Sequence, residues 1–405
     1  MQTVILAAGE GTRMRPLTAT RPKPLLPVAD RPLVAHTMDA AAAAGASRFV
    51  LVVGYEAKQV REQFGDEHLG IPVEYATQAE ARGTADAVRA AAAHLDPEPF
   101  VVLNGDDLYD DAAIAALYDS QASGEPAPAV GIHRVENPEN YGVFNVADGR
   151  VRGVTEKPAD PPSDLVNVGA YRFPAAALDM LDVPESERGE YELTDVLTRV
   201  CERFDVRPVE VERWQGVGRP WELLAANEWK LPELDARVAD DADVVDDADL
   251  RGTVVVEDGA CVEPGVVIEG PAYVGEDTHL GPNAYVRGAT LLGSGVRVGH
   301  AVEVKNSVLM RETAVGHLSY VGDSVLGAAV NFGAGTTVAN LRHDNRSVPM
   351  TVKGERVDTG RRKLGVVVGD GAKTGIDTAL NVGVRLGAGA TTLPGETVSE
   401  DRGEF

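Results

Sequence analysis

The sequence VILAAGEGTRMRPLTATRPKPLLPVADRP at residues 4–32 decides the fold of the first half of the chain. Residues 4–6 are apolar strand formers and predict a buried β-strand close to the first residue. The small residues at 7–12 predict a sharp turn, in which backbone N–H groups can approach a phosphate closely. Arg13 and Lys23 are the cations available to neutralise that phosphate. Glycine-containing turns are common in unrelated folds, so the prediction depends on the whole run.

The complete run resembles the signature of the sugar-1-phosphate nucleotidyltransferases, which reads L-A-A-G-x-G-T-R-x-x-P-L-T and then K-P-x-x-P. In that family the loop holds a nucleoside triphosphate, and the basic residues neutralise phosphates at the reacting centre. The resemblance implies that Arg13 and Lys23 are catalytic. It also implies a nucleotide-binding set made of Leu6, Ala7, Ala8, Gly9, Gly11 and Thr12. The alternative interpretation is an ordinary strand-to-helix turn with two solvated cations.

Length and charge limit the classes of protein to which this chain can belong. With 405 residues it is too long for one compact core, so two domains are expected. The formal net charge is −25, with 63 Asp and Glu against 38 Lys and Arg. Acidic residues occur throughout the chain, which is typical of a solvated acidic surface adapted to high salt. This charge argues against nucleic acid as a partner and makes any cluster of Lys or Arg informative.

Cysteine content and hydropathy bear on the cellular compartment. Cys201 and Cys261 are too few and too isolated for a disulfide framework or a zinc site. The sequence shows no signal peptide and no apolar run of spanning length, because the first residues already predict a strand. We therefore expect a soluble cytoplasmic protein with small-molecule substrates and no membrane partner.

Residues 1–230 alternate apolar strands with helical segments. The strand expected at 49–54 follows an Ala-rich helix, and further strands are expected at 73–76 and 99–103. This alternation, with short connections, predicts an α/β domain with a Rossmann-like, mainly parallel three-layer sheet. Ligands bind at the carboxyl ends of parallel strands, which is where both the glycine loop and Asp106 would lie.

Two further motifs match the family in the same order along the chain. Gln78, Gly83 and Thr84 resemble the segment that hydrogen-bonds a pyrimidine base, since a side-chain amide can pair with a uracil or thymine edge. UTP or dTTP is therefore favoured over GTP, although a loop with a helix cap at Thr84 would explain the same residues. Asp106 resembles the strand-end aspartate that binds magnesium in the family, and a carboxylate suits a hard cation that bridges phosphate oxygens.

Three short segments resemble the sugar-binding loops of the family, and they contribute Gly142, Glu156, Lys157 and Asn167. The resemblance implies that Glu156 and Asn167 hydrogen-bond the sugar hydroxyls and that Lys157 meets the sugar phosphate. A sugar 1-phosphate is already anionic, so the reaction needs no general base. Alignment with the α-phosphorus and charge neutralisation supply the rate.

One departure from the family concerns the metal. The family usually carries a second metal ligand, Asp or Asn, in a W-x-D-x-G-x-P-W segment late in this domain. Here residues 214–221 read WQGVGRPW, so Gly216 stands where the acidic residue belongs. Either Asp107 or water completes the metal shell, or the first site is weakened. Because every other motif is intact, we expect nucleotidyl transfer to be retained.

The period of the sequence changes after a linker at 231–243. One aliphatic residue in every six then recurs from residue 244 to Met310, and the repeat slips by one residue to Val315. The 3.6-residue period of an amphipathic helix is absent. The pattern predicts a β-helix of hexapeptide repeats over 244–405. The segment 341–363 is expected to leave the coil as a long polar loop.

This second domain resembles left-handed parallel β-helix domains, which usually trimerise, so a homotrimer or a higher multiple is implied. The sequences GHLSYVGD at 316–323 and NFGAGT at 331–336 resemble the bifunctional enzymes that acetylate glucosamine 1-phosphate and then uridylylate it. The resemblance implies acetyl-CoA as co-substrate. It also implies that His317 takes a proton from the sugar amine, a role that suits the pKa of histidine.

The same resemblance assigns roles to the neighbours of His317. Arg287 and Lys305 would bind one sugar phosphate, which requires them to lie on adjacent coils. Tyr320 and Asn331 would orient the sugar, and backbone N–H groups near Ala334 would stabilise the oxyanion. The alternative is a β-helix that serves only to form the trimer.

Departures also occur in the second domain. Leu341 follows an asparagine where bacterial relatives have tyrosine, and Arg346 stands where they have lysine, which is not equivalent at a geometric site. The cluster at 361–363 either meets CoA phosphates across a subunit boundary or pairs with local carboxylates.

Three functions therefore remain on sequence grounds. The favoured one is a bifunctional sugar-1-phosphate nucleotidyltransferase and N-acetyltransferase that uses Mg²⁺ and acetyl-CoA. The second is a glucose-1-phosphate uridylyl- or thymidylyltransferase whose β-helix is purely structural. The third is a non-catalytic regulatory or assembly subunit, for which Gly216 is the only support.

Overall fold

The computed structural model describes residues 1–119, 127–186 and 188–405, which form two compact units. The first unit contains Met1–Glu10, Pro22–Leu26 and Pro32–Gly216, and the second contains Gly11–Arg21, Pro27–Arg31 and Val217–Phe405. Among the described residues no helix is both long and apolar enough to cross a membrane. The domain boundaries near residues 230 and 244 stay predictions.

The part of the chain up to residue 230 contains the described helices and the strands of an α/β fold. The α-helices are α1 Leu33–Ala43, α2 Ala57–Phe64, α3 Thr84–Ala91, α4 Asp111–Tyr118, α5 Leu193–Arg203 and α6 Pro220–Lys230. The strands are β1 Gln2–Ala7, β2 Pro27–Val28, β3 Arg31–Pro32, β4 Arg48–Val53, β5 Glu67–His68, β6 Ile71–Thr77, β7 Phe100–Asn104, β8 Asp107–Tyr109, β9 Ala129–Arg134, β10 Gly142–Ala147, β11 Arg150–Glu156, β12 Leu165–Phe173, β13 Arg207–Glu210 and β14 Trp214–Gly216.

One mixed sheet forms the centre of the first unit. Its strand order is β11-β10-β12-β7-β1-β4-β6-β5, with β9 beside β12 and β13 beside β9. The pairs β1–β7, β1–β4 and β4–β6 are parallel. The antiparallel strand β12 joins β7 and extends this parallel centre. The carboxyl ends of β1, β6 and β7 therefore share one edge, as the sequence predicts for the ligand site.

The central strands are buried on both faces, because successive side chains of a strand point to opposite sides. Val4 and Val50 pack in a cluster with α3 and α5. Ile5 and Leu51 pack in a second cluster with α1 and α4. The unit therefore has three layers, helix, sheet and helix, as predicted.

Short parallel strands from residue 237 onward build a three-sided coil. They are β15 Arg237–Val238, β16 Asp243–Val244, β17 Asp249–Arg251, β18 Val254–Val256, β19 Cys261–Val262, β20 Val267–Glu269, β21 Ala272–Val274, β22 His279–Leu280, β23 Tyr285–Arg287, β24 Thr290–Leu292, β25 Arg297–Val298, β26 Glu303–Lys305, β27 Val308–Leu309, β28 Ala314–Val315, β29 Tyr320–Gly322, β30 Val325–Leu326, β31 Asn331–Phe332, β32 Thr337–Val338, β35 Val367–Val368, β36 Ala379–Leu380, β37 Arg385–Leu386 and β38 Thr397–Val398. The antiparallel hairpin β33 Pro349–Val352 and β34 Glu355–Asp358 interrupts this series.

These strands form three parallel sheets, and every third strand belongs to the same sheet. The sheets run β15-β18-β21-β24-β27-β30-β35-β37, β16-β19-β22-β25-β28-β31 and β17-β20-β23-β26-β29-β32-β36-β38. The aliphatic residues of the sequence repeat, such as Val262, Val274 and Val286, fill the interior. The fold class is thereby confirmed as a Rossmann-like α/β unit followed by a left-handed parallel β-helix of hexapeptide repeats. Its first strand, β15, lies inside the segment expected to be a linker.

The coil shortens part-way along the domain. Val255 pairs with Tyr273, 18 residues further on, whereas Leu291 pairs with Val308, 17 residues further on. The inward position after Val304 is consequently Leu309, a step of five residues. The prediction that Met310 continues the inward repeat is therefore wrong. Met310 Sδ instead accepts from Arg21 Nη1 at 2.9 Å.

The predicted excursion at 341–363 does leave the coil, and its two ends meet in a bridge between Leu341 and Lys363. It is not simply a polar loop. It contains the β33–β34 hairpin, and Val348 and Met350 are fully buried within it.

Candidate active sites

The turn after β1 has the form of a phosphate-binding loop. A side chain at Gly9 would meet no atom within 4 Å, so this position borders open space. Gly11 has a left-handed backbone with φ of 62°, which strongly favours glycine, and its carbonyl accepts from Thr18 Oγ1 at 2.8 Å. Within the described chain the backbone N–H groups of residues 9–13 donate to no acceptor. Successive unpaired N–H groups suit a bound phosphate.

Lys23 and Asp106 are in direct contact in the first unit. Lys23 lies in the short 3-10 turn Lys23–Leu25 and is buried. Its Nζ donates to Asp106 Oδ2. The Asp106 side chain remains 38% exposed, so its carboxylate can still be reached by a ligand. The structure thus brings together the predicted catalytic lysine and the predicted metal ligand.

Asp107 fills the space opposite Gly216. The two residues are partners in the antiparallel pair β8–β14. A Cβ on residue 216 would stand 2.9 Å from Asp107 Oδ1, so a side chain fits there only if Asp107 moves. Asp107 Oδ2 accepts from Asn104 Nδ2 at 2.9 Å. Among the alternatives left open by the sequence, this arrangement favours Asp107 as the replacement for the missing acidic residue.

The hydroxyl of Tyr109 reports on the charge at this site. Burial is the main reason that the pKa of Tyr109 lies well above its usual range, and the negative charges of Asp107 and Asp106 raise it further. Both carboxylates therefore lie close to one buried hydroxyl. A cation between them would relieve this concentration of negative charge.

Gln78 and Gly83 meet as expected for a base-binding segment. Gln78 is buried, and its Nε2 donates to Gly83 O and to Asp86 Oδ2, both at 3.0 Å. These bonds fix the amide and present its oxygen as the acceptor for a pyrimidine N–H. Helix α3 begins at Thr84 and its N-cap is Gly83, so the alternative of a helix cap at Thr84 is wrong. The Thr84 hydroxyl accepts from Leu193 N at 2.9 Å.

The predicted sugar-binding residues Gly142, Glu156 and Asn167 lie together. A Cβ on Gly142 would stand 2.6 Å from Glu156 Oε2 and 3.5 Å from Asn167 Cβ, so only glycine leaves this space open. Sequence reasoning missed Arg188, whose Nη2 lies 3.3 Å from Glu156 Oε1. Burial raises the pKa of Glu156, and the charge of Arg188 opposes this rise.

The neighbours of this cluster hold it in place. Asn167 Nδ2 donates to the Tyr171 hydroxyl at 2.6 Å, and Asn167 Oδ1 accepts from Gly169 N at 3.1 Å. Lys157 has a left-handed backbone with φ of 45°, which is uncommon for a residue with a side chain. Its N–H donates to Tyr141 O at 2.9 Å. The strained conformation fixes the direction in which the lysine leaves the strand end.

Arg13 is an exposed residue of the second unit. Its guanidinium lies next to Gly218, where an added Cβ would stand 3.7 Å from Arg13 Nη2. The Gly218 N–H donates to Glu222 Oε2 at 2.7 Å. Within the described residues Arg13 takes part in no ion pair, so its charge is available to an anionic ligand.

Arg287 and Lys305 are neighbours on adjacent coils. They are partners in register on β23 and β26, as their spacing in the repeat requires. Arg287 Nη2 lies 2.7 Å from Glu303 Oε1, and Lys305 Nζ lies 2.6 Å from Asp323 Oδ2. Each cation is therefore held by a carboxylate, and an incoming phosphate would replace carboxylate oxygens with its own.

Tyr320 lies in the same sheet as this pair of cations, on β29. Its hydroxyl accepts from Asn340 Nδ2 at 3.0 Å, and the same amide also donates to Asp323 Oδ2 at 2.6 Å. Burial, and then the charges of Asp323 and Glu303, raise the pKa of Tyr320. The phenol is thus neutral and can donate to a ligand.

His317 borders a cavity of about 300 Å³ on the β-helix, whose lining includes His279, Arg297, His300, His317 and Asn331. His317 lies in the turn between β28 and β29, and Asn331 lies on β31. Tyr320 and the two cations belong to a different sheet from Asn331. The predicted residues of the second site are therefore distributed over two sheets of one chain.

The ring of His317 has a defined partner. Its Nδ1 accepts from the backbone N–H of His300 at 3.1 Å. A neutral imidazole in this position carries its proton on Nε2. The predicted oxyanion donor is also nearby in the fold, since a Cβ on Gly316 would stand 2.8 Å from Ala334 N. In the described chain this N–H donates to no acceptor, so it is available to a ligand.

The basic cluster at 361–363 has local partners. Arg361 Nη2 pairs with Glu228 Oε1 of α6, and Arg362 Nη1 donates to Asn345 Oδ1 at 3.2 Å. The alternative of local pairing therefore describes Arg361. Glu228 also accepts from Asn306 Nδ2 at 2.8 Å, so it links α6, the excursion and the coil.

The fold and these sites define a nucleotidyltransferase with an appended hexapeptide β-helix. Residues 2–231 match the family described as Nucleotidyl transferase, and residues 268–369 match the GMPPB C-terminal domain. The chain belongs to the nucleotidyl transferase family.

Relatives with both parts match almost the whole chain. Bifunctional protein GlmU of Methanocaldococcus jannaschii is 37% identical over 391 residues, which are 96% of this chain and 92% of that protein. The bifunctional sugar-1-phosphate nucleotidylyltransferase/acetyltransferase of Sulfurisphaera tokodaii is 36% identical over 413 residues, covering 100% of this chain and 98% of that protein. A crystal structure of a putative glucose-1-phosphate thymidylyltransferase from Bacillus anthracis in complex with sucrose matches with a TM-score of 0.51 and 25% identity. It covers 56% of this chain and 94% of that one. The chain is therefore a transferase of this two-part type.

Proposed function

We propose that this chain joins a sugar 1-phosphate to a pyrimidine nucleotide in its first half and acetylates glucosamine 1-phosphate in its second half. The contact of Lys23 with Asp106 carries the first activity. The register pairing of Arg287 with Lys305 carries the second. Both substrates are phosphate esters, which suits cations on a chain that is otherwise strongly acidic.

In the first reaction a phosphate oxygen of the sugar 1-phosphate attacks the α-phosphorus of UTP or dTTP. A new P–O bond forms as the bond from the α-phosphorus to the bridging oxygen of pyrophosphate breaks. Pyrophosphate leaves with the bonding electrons, and no proton needs to move. Lys23 and Arg13 neutralise phosphate charge, while the N–H groups of residues 9–13 hold the triphosphate in line.

The carboxylates of Asp106 and Asp107 fit a hard divalent cation, for which Mg²⁺ is the natural candidate. Such an ion, when bound, neutralises charge on the phosphates. Asn104 orients Asp107 through its 2.9 Å hydrogen bond, so the second carboxylate is held in place before a ligand arrives. The local register of β8 and β14 supports Asp107 in the role that an acidic residue at 216 has in other members of the family.

In the second reaction the amino nitrogen of glucosamine 1-phosphate attacks the thioester carbon of acetyl-CoA. The C–N bond forms, the C–S bond then breaks, and CoA leaves as a thiolate. His317 takes the proton from the nitrogen and returns it to the sulfur. Arg287 and Lys305 bind the phosphate, and the N–H of Ala334 donates to the oxyanion.

Proton transfer by His317 requires a free lone pair on its ring. The Nδ1 lone pair accepts from His300 N–H, an exposed bond that water can replace. The net cost of exchanging one such bond is about 0.5–1.5 kcal/mol, which is small beside the gain from a positioned base. The two sheets that share the predicted residues support side-by-side assembly of β-helices, as a homotrimer in the cytoplasm.

Two assays on the full-length chain test the proposal. Pyrophosphate release is measured for a panel of sugar phosphates with each of four triphosphates at high KCl. Thiol release is measured with acetyl-CoA and glucosamine 1-phosphate. His317→Asn should lower thiol release by roughly 10²–10⁴-fold and leave pyrophosphate release unchanged. His94→Asn in the first unit, whose ring contacts Glu74 at 2.8 Å, is the matched control and should change neither rate.

The other two functions predict different results. If the wild-type chain and His317→Asn release thiol equally, the acetyltransferase proposal is wrong and the β-helix is a structural domain. If no triphosphate gives pyrophosphate release, the chain is not a nucleotidyltransferase in its own right. The substrate panel also decides between UTP and dTTP.

A further inference from the structure

A cluster of three potential metal ligands lies on the outer side of the β-helix. Cys261 and His279 are partners in register on β19 and β22. Glu263 follows two residues after Cys261, so its side chain leaves the strand on the same side. The sulfur of Cys261, a carboxylate oxygen of Glu263 and a ring nitrogen of His279 all lie within 4.8 Å of one another. The shortest described contact is 3.1 Å, between His279 Nε2 and Glu263 Oε1.

These separations are close to those around a tetrahedral zinc ion. Zinc lies about 2.3 Å from sulfur and about 2.0–2.2 Å from nitrogen or oxygen, so its ligands are roughly 3.3–3.8 Å apart. Side-chain rotations of about 1 Å would bring the three atoms to this spacing. The backbone needs no change, because the parallel ladder already fixes the Cys261 and His279 strands side by side.

The surroundings of the cluster favour a cation on balance. Asp243 is the register partner of Cys261 on the preceding coil and adds a carboxylate. Arg297 is the register partner of His279 on the following coil and opposes a cation, but it is exposed and therefore screened by water. One thiolate, one imidazole and one carboxylate suit zinc or cobalt better than magnesium or calcium.

Neither of the activities proposed above uses Cys261 or Glu263. We infer that Cys261, Glu263 and His279 form a zinc-type metal site on the outer face of the β-helix. Water or Asp243 takes the fourth position. The bound ion joins two successive coils at a point where His279 also lines the cavity beside His317. This assignment replaces the expectation from sequence that two isolated cysteines exclude a zinc site.

Cobalt is the probe that separates this site from the carboxylates of the first unit. The full-length chain is freed of metal with a chelator and titrated with Co²⁺ alone. We expect a thiolate-to-cobalt absorption band that saturates at one equivalent and is removed by Zn²⁺. Cys261→Ser should abolish the band and weaken Zn²⁺ binding at least about 100-fold, since a thiolate ligand is lost.

The other cysteine provides the matched control. Cys201 lies on α5, and among the described residues it belongs to no cluster of metal ligands. Cys201→Ser should keep the band, and His317→Asn should also keep it, which separates this site from the acetyltransferase proposal. A band that survives in Cys261→Ser, or a wild-type chain that gives no band, would overturn the assignment. Circular dichroism of each variant checks that the β-helix has folded.

Discussion

Moving a carboxylate across the β8–β14 pair tests how the first site holds its metal ion. The variants are Asp107→Ala, Gly216→Asp and the double variant that carries both changes. A Cβ on residue 216 would stand 2.9 Å from Asp107 Oδ1, so the two positions cannot both carry a carboxylate without displacement. We expect each single change to impair the site and the double variant to recover, because it moves the carboxylate instead of removing it.

The size of each effect follows from the contacts. Forcing extra atoms into this space in Gly216→Asp costs about 1–3 kcal/mol. Two carboxylates about 4 Å apart at an effective dielectric constant of about 20 add a repulsion of about 4 kcal/mol before a cation is bound. Asp107→Ala leaves Asn104 Nδ2 without its 2.9 Å acceptor, which costs about 1–3 kcal/mol, and removes one of two carboxylates. The coupling between the two changes should be about 1–3 kcal/mol.

Binding of Mn²⁺, followed by the loss of its free-ion electron paramagnetic resonance signal, measures the site without relying on activity. Asp107→Ala should weaken binding at least about tenfold, which corresponds to about 1.4 kcal/mol, and the double variant should recover most of this loss. Asp110→Ala is the control, since it removes only the N-cap bond to Ala113 N at 2.8 Å and should keep Mn²⁺ binding. If Asp107→Ala binds Mn²⁺ as tightly as the wild type, Asp107 is not a ligand.

Three shorter predictions concern other parts of the molecule. Arg287→Gln should raise the KM for glucosamine 1-phosphate about 10–100-fold, since a charged hydrogen bond is lost, whereas Arg251→Gln in the same sheet should not. The raised pKa of Glu156 means that folding disfavours its ionised form, so its cost to stability is relieved as pH falls through that pKa. The KM for sugar 1-phosphate should rise over the same interval, which begins above the ordinary value of 4.5, and Glu156→Gln should remove this dependence. Leu292→Ala in the β-helix core should cost about 2–5 kcal/mol in denaturant unfolding, whereas Leu393→Ala at a position 72% exposed should leave the midpoint unchanged.

The β-helix could be predicted from the sequence because each inward position holds an aliphatic residue at a fixed interval. The failure at Met310 has a simple cause. Leu309 and Met310 are both apolar, so the sequence alone cannot show that the step shortens to five residues. The register of Leu291 with Val308 supplies that information only in the folded coil. Likewise, the hairpin within 341–363 depends on the burial of Met350, which no local pattern reveals.

The candidate sites divide in the same way. Lys23 and Asp106 stand in motifs, so their pairing was open to prediction from chain order. Arg188 was missed because a lone arginine far along the chain carries no signal of its contact with Glu156. Cys261 was set aside because its partner His279 is distant in sequence. The two become neighbours only when the length of the coil is known.

The register of the β-helix has a consequence for how this domain can vary in size. Val255 and Tyr273 are stacked partners 18 residues apart, and the next strands repeat the same interval. Removing or duplicating one complete rung would therefore shift everything beyond it by about 4.8 Å along the axis without rotating any surface. Shortening by any other number of residues would turn interior side chains outward. Gene rearrangements that respect the rung length can thus change the reach of this domain while leaving the groups around His317 in their mutual positions.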